Sequence, residues 1–349
     1  YPELEVECWT FEKEYKKEKI FEEFKIKFKV FPSEIFIRPG MELSFSMKNA
    51  LKEEIKKAKK ENIKLILHLH EYHTWQIYYL LFFIRKNQNI KIVAQHHGGR
   101  APFKNLLKFK ILILFFPAII LMQFFENLLF KKIDIFYALS DEEILYLKKI
   151  AINSEVKFQT MGIENKYFKI INKKEAKKNL NLDLNKKYIL YLGRIKKNKG
   201  MVELLKAVKS IDAELLLIGS GPDFEEYQLF SKKNNINNVK FLGPIYNESK
   251  LDFLSACDCL VLPSYTEGAP VVLMEAIAKN LPVIASDVGG VKKMIENGRE
   301  GIIIKPKSKE QIRKAIIEVL DWKNKNIKQF GNKYKWQDII ENTILDYEK

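Results

Sequence analysis

The second half of this sequence alternates short apolar runs with amphipathic segments, and no other feature constrains the fold as strongly. Six apolar runs are each followed by a helix-like stretch. The runs are Tyr188–Leu192, Glu214–Ile218, Val239–Leu242, Cys259–Leu262, Val283–Ala285 and Gly301–Ile304. Strands that alternate with helices in this way predict an α/β fold with a doubly wound parallel sheet.

The first half shows the same alternation less regularly. Its apolar runs are Leu65–Leu69, Ile90–Ala94 and Ile133–Leu139, and helix-like segments separate them. A chain of 349 residues exceeds what one hydrophobic core usually organises. We therefore predict two Rossmann-like domains, residues 1–165 and 166–325, with the boundary at a polar stretch rich in Lys and Asn.

The net charge of +16 comes from 60 Lys and Arg against 44 Asp and Glu. Such an excess favours an anionic partner such as phosphate or acidic lipid, while an ordinary solvated surface is the simpler interpretation. No recognised nucleic-acid-binding module accompanies the charge, so we predict no nucleic-acid partner. Cys8, Cys257 and Cys259 form neither a disulfide framework nor a CxxC motif, and a reducing cytoplasm fits them best.

One segment bears on membranes. Ile111–Phe125 reads ILILFFPAIILMQFF, carries no charge and is flanked by lysines. A membrane-spanning helix needs about 20 apolar residues, so this run is too short and is interrupted by Pro117. Two interpretations stay open, a basic-flanked helix pair over 104–132 that lies in a bilayer interface and a helix buried between domains. The first would place a peripheral enzyme at the inner face of the cell membrane.

Loops that follow the strands are the places to look for a ligand site, because open parallel sheets bind ligands at the carboxyl ends of their strands. After the first run of the second half come Gly193, Arg194, Lys199 and Gly200. Two cations and a helix N-terminus favour a diphosphate there. The spacing is not that of a Walker P-loop, and a solvated turn is the alternative.

The next two loops are short and rich in glycine and proline. GSGP begins at Gly219, and Gly243 with Pro244 follows the third run. Proline at a helix start and glycine at a tight turn are typical of βα loops. These loops are candidates for backbone contacts to the ligand, and simple tight turns are an equally good interpretation.

A fourth loop, which reads PSYTEGAP before the helix VVLMEAIA, is the most informative. Pro270 belongs to the first helical turn, which leaves Glu267 in the loop and places Glu275 within the helix. Apolar residues surround Glu275, and a buried carboxylate needs hydrogen-bond donors. The vicinal hydroxyls of a ribose would supply two donors, while an ion pair with Lys279 at i+4 is the structural alternative. Backbone amides of Gly268 and Ala269 would face phosphates or sugar.

The motifs GRIKKNKG, GSGP, PSYTEGAPVVLMEA and ASDVGGV, in this order, resemble the GT-B glycosyltransferases of family 4, known as glycosyl transferases group 1. Upstream, HLHEYHTW, AQHHGG, YALSDEE and MGIENKYF resemble that family's N-terminal landmarks. The resemblance implies retaining transfer of a sugar from a nucleotide-diphosphate donor, in a cleft between two Rossmann-like domains. It also implies a metal-independent reaction with no cofactor, and the sequence contains no Asp-x-Asp motif.

The same resemblance implies a role for particular residues. Glu267 and Glu275 match the family's Glu-x7-Glu motif, the first near the transferred sugar and the second on the donor ribose. Arg194 and Lys199 match its diphosphate-binding pair. These two cations would stabilise the departing diphosphate while the acceptor hydroxyl attacks from the same face of the sugar.

A histidine and the two ends of the chain complete the predictions from the resemblance. His97 corresponds best to the family's active-site histidine, with His96 as the alternative, and a histidine that serves only the strand end is the simpler interpretation. Residues 326–349, introduced by Trp336, are predicted to form a helix that returns to the N-terminal domain. The family's opening strand and glycine-rich loop have no counterpart here, so we expect the chain either to begin after them or to have lost them.

The resemblance implies a hydroxyl acceptor, either lipid-linked or a polysaccharide. A lipid-linked acceptor is favoured by the apolar segment that follows His97 in the sequence. Two other classes stay open. One is another GT-B enzyme, such as a nucleotide-sugar epimerase or a phosphorylase, and the other is an inactive nucleotide-sugar-binding protein.

Overall fold

The computed structural model of the chain describes residues 5–12, 18–23, 26–36, 42–97, 124–245, 248–322 and 327–349. The chain divides into two compact units. The first unit comprises Tyr1–Ala138 and Glu143–Lys157, and the second comprises Leu139–Glu142 and Phe158–Lys349.

The first unit is built on a four-stranded sheet with smaller strands before it. Its strands are β1 (Glu7–Glu12), β2 (Lys19–Glu23), β3 (Ile26–Pro32), β4 (Ile35–Phe36), β5 (Glu42–Leu43), β6 (Leu65–His70), β7 (Ile90–Gln95), β8 (Ile135–Ala138) and β9 (Glu155–Phe158). The main sheet has the order β6-β7-β8-β9, and β7 is parallel to both β6 and β8. The predicted parallel α/β arrangement of the first half is therefore confirmed.

Helices cover this sheet. They are α1 (Phe45–Glu61), α2 (Trp75–Phe83), α3 (124–130) and α4 (Asp141–Ile150). The first of them begins at Ser44, whose hydroxyl accepts from the Met47 amide, and it ends at Asn62 in the left-handed conformation. Tyr72, Ile92 and Phe136 are fully buried between sheet and helices.

The second unit contains a six-stranded parallel sheet. Its strands are β10 (Tyr188–Leu192), β11 (Glu214–Ile218), β12 (Val239–Gly243), β13 (Cys259–Leu262), β14 (Val283–Ser286) and β15 (Gly301–Ile304). Each of the six predicted strands is confirmed. The spatial order β12-β11-β10-β13-β14-β15 is doubly wound, and the order reverses between β10 and β13.

Eight helices follow in the part of the second unit that the structure describes. They are α5 (Lys173–Asn179), α6 (Met201–Val208), α7 (Phe224–Lys233), α8 (Ser249–Ala256), α9 (Val271–Ala278), α10 (Val291–Met294), α11 (Lys309–Leu320) and α12 (Trp336–Glu348). Apolar side chains bury both faces of the sheet, so strands such as β13 and β14 are buried at every position.

The division into units differs from the predicted domains at both ends of the second unit. The first unit ends at Lys157, eight residues before the predicted boundary at residue 165, and α12 belongs to the second unit. The reason is a close association of α12 with residues 159–163. The Ile163 amide donates to the Tyr334 carbonyl at 2.8 Å, and Gly162 lies so close to Trp336 that a Cβ there would come within 2.6 Å of its ring.

The structure describes only part of the region on which the membrane-related predictions depend. Within the ranges that the structure describes, no helix is both long enough and apolar enough to cross a bilayer. Of the apolar segment Ile111–Phe125, only Phe124 and Phe125 are described, at the start of α3. Residues 104–123 of the predicted interfacial region 104–132 lie outside the described residues. The interfacial helix pair therefore stays a prediction.

Candidate active site

A cavity of about 250 Å³ lies in the second unit, where the strand order reverses. The carboxyl ends of β10 and β13 and the start of α9 form its walls. Its lining residues are Tyr191, Leu192, Gly193, Lys199, Lys250, Leu262, Glu267, Pro270, Val271, Val272 and Glu275. This is the position at which open α/β sheets bind their ligands.

The loop after β10 carries the first cation of this cavity. Lys199 ends the 3-10 helix Lys197–Lys199, and Gly200 follows with φ of 68° before α6 begins. A Cβ at Gly200 would lie 2.1 Å from the Pro263 carbonyl oxygen, so only glycine permits this approach. The loop after β10 therefore lies directly against the loop after β13, and Lys199 enters the cavity.

Lys199 and Glu267 form an ion pair inside the cavity. Both side chains are largely buried, with 15% and 12% of their surface exposed. The pair joins two loops that are 68 residues apart in the sequence. The sequence predicted both residues for the site, and the structure adds that they are each other's partners.

Two glycines of the following loop position the backbone around Glu267. A Cβ at Gly289, where φ is +56°, would lie 2.1 Å from the Glu267 carbonyl oxygen. The Gly290 amide donates to the Gly268 carbonyl at 2.7 Å. Glu267 thus sits on a loop whose backbone is packed on both sides, which restricts where its carboxylate can point.

Glu275 also lines the cavity, from the second turn of α9. It is 5% exposed, and its Oε1 accepts from the Lys250 ammonium at 2.7 Å. Tyr167 lies beside this pair, with its ring centroid 5.3 Å from the Lys250 ammonium, and burial together with the Glu275 carboxylate raises the pKa of Tyr167. The alternative ion pair with Lys279 is not what the structure has, because the Lys279 ammonium donates to the Lys169 carbonyl at 2.6 Å.

The remaining predicted donor residues divide into two groups. Gly268, Ala269 and Pro270 form the turn between Glu267 and α9, and Pro270 lines the cavity. Gly219 and Gly243 lie beside this region, since the Gly219 amide donates to the Gly243 carbonyl at 2.9 Å. Neither belongs to the cavity wall.

Arg194 and Pro244 are both exposed and also lie outside the wall of the cavity. The carbonyl of Arg194 accepts from the Tyr191 hydroxyl at 2.9 Å, which fixes the backbone at the start of the loop. Arg194 does not line the cavity, whereas Lys199 on the same loop does. The structure brings Lys199, Glu267 and Glu275 together and leaves Arg194 and Pro244 at the surface.

His97 lies in the first unit, just after β7. Its Nε2 is 2.6 Å from Nδ1 of His70, and its backbone amide donates to Oε1 of Glu71 at 3.0 Å. The rings of His68, His70 and His97 stack, with neighbouring centroids 4.7 and 4.9 Å apart. Burial lowers the pKa of all three, and that of His68 to about 3.

His96, the alternative to His97, has a different environment. Its Nδ1 lies 2.8 Å from Oε1 of Glu143, and its Nε2 lies 3.8 Å from Oε2 of Glu71. Among the described residues, no group of three or more His, Cys, Asp or Glu side chains has the arrangement to hold a metal ion. Independence from metal and cofactor stays a prediction from the resemblance.

Sequence reasoning missed three residues. Lys250 gave no signal, because its segment resembles an ordinary charged surface. Tyr167 lies in the landmark MGIENKYF, but that resemblance gave the tyrosine no role. His70 had one, since the alternation in HLH places His68 and His70 on the same face of a strand. That pattern predicts neighbouring imidazoles, although it does not predict His97 as the third.

Comparisons with solved structures identify the fold class. The chain is similar to sucrose-phosphate synthase of Thermosynechococcus elongatus, with a TM-score of 0.71, 20% identity and coverage of 99% of this chain and 89% of that one. It is also similar to HepE of Anabaena, solved in complex with UDP, with a TM-score of 0.64, 16% identity and coverage of 93% and 86%. The fold class is GT-B, as predicted.

Sequence comparison then identifies the family. Residues 172–336 match the family described as glycosyl transferases group 1. Over 146 residues the chain is 36% identical to a putative teichuronic acid biosynthesis glycosyltransferase of Bacillus subtilis, a match that covers 41% of this chain and 36% of that protein. The match to this family spans the part of the chain from α5 to the start of α12.

The similarity to curated relatives is partial in length. The matches to the first three relatives span 36%, 47% and 45% of those proteins. Residues 172–336 lie entirely in the second unit, which also contains the cavity. The family assignment therefore concerns the unit that carries the candidate site.

Proposed function

We propose that this chain is a retaining glycosyltransferase of family 4, which transfers a sugar from a nucleotide-diphosphate sugar to a hydroxyl acceptor. The observation that carries the proposal is the cavity at the switch point of the second sheet. It combines a helix N-terminus, two lysines and two glutamates, a set that suits a molecule with both phosphates and hydroxyl groups.

In this proposal the diphosphate binds at Lys199 and the start of α9. The ammonium of Lys199 is paired with the Glu267 carboxylate. Phosphate oxygens would replace Glu267 as its partner, which releases the carboxylate to accept from a hydroxyl of the transferred sugar. Arg194, exposed on the same loop, would reach the outer phosphate. Stabilisation of the departing diphosphate is then the main contribution to the rate.

The role of His97 in this proposal is to orient a hydroxyl of the reacting sugar or to stabilise the developing positive charge. The lowered pKa of His97 keeps the ring neutral near pH 7, so that it offers both a donor and an acceptor nitrogen. Its hydrogen bond with His70 leaves Nδ1 of His97 to meet a hydroxyl. Support for this role comes from the family resemblance and this neutral state.

Nucleotide binding provides the test. UDP, GDP, ADP and their glucose derivatives would each be added to the protein, and the midpoint of thermal unfolding measured. We expect at least one to raise the midpoint, since a ligand at 100 times its Kd stabilises by about 2.7 kcal/mol. Lys199→Met should abolish the shift. Lys240→Met, which removes an exposed lysine paired with Glu214, should retain it. No shift with any of the compounds would contradict the proposal.

A lipid-linked acceptor at the cytoplasmic face of a membrane is the finer part of this proposal. An apolar cavity of about 290 Å³ in the first unit supports it, since Trp75, Tyr79 and Phe125 are among the residues that line it. The half-buried ring of Tyr79 contacts those of Phe45 and Phe83, and Phe83 contacts Phe82. Phe45, Phe82 and Phe83 are exposed, and we call these four residues the aromatic surface.

Lysines accompany the aromatic surface. Lys48 and Lys52 place their ammonium groups 5.2 and 5.0 Å from the ring centroid of Phe83. Exposed rings next to cations suit an interface with anionic lipid headgroups.

The three cysteines are free thiols, which agrees with the proposed reducing compartment.

Vesicle flotation tests this membrane association. We expect the protein to float with vesicles that contain anionic lipid, and Lys48→Glu with Lys52→Glu to remove most of the binding. The matched control exchanges Lys232 and Lys233, two exposed lysines at the end of α7 in the second unit. Equal flotation of both double variants, or failure of the unaltered protein to float, would contradict the membrane association and leave the nucleotide-binding proposal untouched.

A further inference from the structure

Glu275 is held by two side chains that come from elsewhere in the second unit. Lys250 lies at the start of α8, and Tyr167 lies on the 3-10 helix Asn165–Phe168. The Lys250 ammonium is 2.7 Å from Oε1 of Glu275 and 5.3 Å from the centroid of the Tyr167 ring. Three elements therefore converge on one carboxylate in the cavity wall.

We propose that Lys250 and Tyr167 position the Glu275 carboxylate for a vicinal diol, and that Lys250 determines selectivity for ribonucleotides over 2′-deoxyribonucleotides. This inference rests on the proposed function, in which the cavity binds a nucleotide. It assigns to the site two residues that are outside the Glu-x7-Glu and basic motifs.

The number of acceptor positions on the carboxylate supports this proposal. A carboxylate accepts about four hydrogen bonds. Lys250 takes one of them and the Tyr167 phenol is placed to take a second, which leaves two for the 2′- and 3′-hydroxyls of a ribose. Glu275 lines the cavity although only 5% of the residue is exposed.

Lys250 itself also lines the cavity, with a quarter of its side chain exposed. An ammonium carries three N–H donors, and one is used on Glu275. Another can donate to the oxygen of the hydroxyl whose proton goes to Glu275. A diol would then meet an acceptor and a donor side by side, whereas a 2′-deoxyribose would leave part of this charged pair without a partner. Unpaired polar groups in a buried site strongly disfavour the ligand that lacks the hydroxyl.

The roles of the two positioning residues differ. Lys250 supplies the charge that keeps a buried carboxylate compensated, since an unpaired one is strongly destabilising. Tyr167 supplies a neutral donor, and its raised pKa keeps the phenol protonated beside the carboxylate. Loss of Lys250 should therefore affect the site more than loss of the Tyr167 hydroxyl.

The test compares UDP, ADP and GDP with dUDP, dADP and dGDP by isothermal titration calorimetry. For the nucleotide that binds best, we expect the unaltered protein to prefer the ribose form by about tenfold or more. Lys250→Met should reduce this preference to less than about threefold, mainly by weakening the ribose form. Tyr167→Phe should reduce it less, and Lys250→Arg should restore part of it.

Two controls separate this effect from general damage. Lys240→Met removes a lysine from an ion pair with Glu214 outside the cavity, and it should leave the preference unchanged. Unfolding midpoints show whether each variant folds. If Lys250→Met does not fold, Tyr167→Phe provides a second measurement of the ribose preference. A ribose preference that survives Lys250→Met and Tyr167→Phe, or an unaltered protein that binds both sugar forms equally, would overturn the inference while the proposed function stands. No binding of any of the six nucleotides would overturn both.

Discussion

At the scale of single residues, the two glutamates of the candidate site are distinguished by their partners. Glu267 pairs with Lys199, the lysine proposed to meet the diphosphate, and Glu275 pairs with Lys250. Their spacing in the sequence predicts one site, and their environments predict two roles. Each role can be tested by a substitution that removes the charge and keeps the shape.

Glu275→Gln should weaken binding of nucleoside diphosphates by about tenfold or more, because an amide accepts fewer hydrogen bonds from a diol and leaves Lys250 unpaired. The dissociation constant measured by calorimetry checks this. Glu214→Gln, in an ion pair of the same kind outside the cavity, should leave the constant unchanged. Unchanged affinity in Glu275→Gln would show that Glu275 does not contact the nucleotide.

Glu267→Gln should have the opposite pattern. Nucleoside diphosphates should bind as tightly or more tightly, because Lys199 no longer has to leave a carboxylate partner. Donor turnover should fall by about a hundredfold, the scale of losing one electrostatic contact at the reacting centre. Measurements of Kd and of donor consumption on the same preparation check both parts. A large loss of affinity with normal turnover would contradict this role.

At the scale of elements, the site depends on loops that approach one another closely. A Cβ at Gly219 would lie 1.9 Å from the Gly193 carbonyl oxygen, whereas one at Gly243 would meet nothing within 4 Å. Both glycines have positive φ, 144° and 73°. The pair therefore separates the effect of close packing from that of backbone conformation.

Gly219→Ala should lower the free energy of unfolding by more than about 2 kcal/mol, because the loops after β10 and β11 must move apart. Gly243→Ala should lower it by about 1 kcal/mol, from backbone strain alone. Urea unfolding monitored by circular dichroism compares the two. Equal losses would indicate that the loop after β10 yields easily.

Strand β6 brings acid sensitivity to the first unit. His68 is held neutral by burial and by His70 and His97, against a hydrogen bond with Gln95, and its pKa of about 3 lies far below the ordinary 6.5. The unfolded chain therefore binds more protons than the folded one between these values. Stability rises with pH across this window, so it is complete above about 6.5 and decreases as the pH falls below it.

The unfolding midpoint should accordingly be lower at pH 5 than at pH 7.5. His68→Gln should reduce this difference, because it removes the group with the largest shift in the stack. Thermal unfolding at both pH values checks the prediction. If the unfolding midpoint of His68→Gln differed as much between pH 5 and pH 7.5 as that of the unaltered protein, groups other than His68 would cause the acid sensitivity.

At the scale of the whole molecule, the excess of positive charge acts on stability. A net charge of +16 produces self-repulsion in the compact state. Salt screens such repulsion, since the Debye length falls from about 30 Å at 0.01 M to about 10 Å at 0.1 M. Raising NaCl over this range should therefore raise the unfolding midpoint. A midpoint that falls would mean that surface ion pairs outweigh the repulsion.

Much of the architecture could be predicted from the sequence. All six strands of the second sheet follow from alternation, because β-branched and apolar runs of four to five residues, separated by amphipathic helices, have few other stable arrangements. The position of Pro270 separates Glu267 from Glu275 for a local reason, since proline starts a helix. By contrast, the boundary between the units depends on α12 packing against residues 159–163. No local sequence pattern predicts this contact.

The sequence by itself therefore determined the α/β class, and it predicted Lys199, Glu267 and Glu275 for the candidate site, because periodicity, turns and motif spacing are local properties. Only the tertiary structure decided which lysine forms an ion pair with which glutamate. Lys199 meets Glu267 because β10 lies beside β13, although two strands separate them in the sequence. Lys250 of α8 meets Glu275 of α9, two helices that flank β13 in the chain. Doubly wound order brings distant loops together at one edge of the sheet, and no local pattern records that neighbourhood.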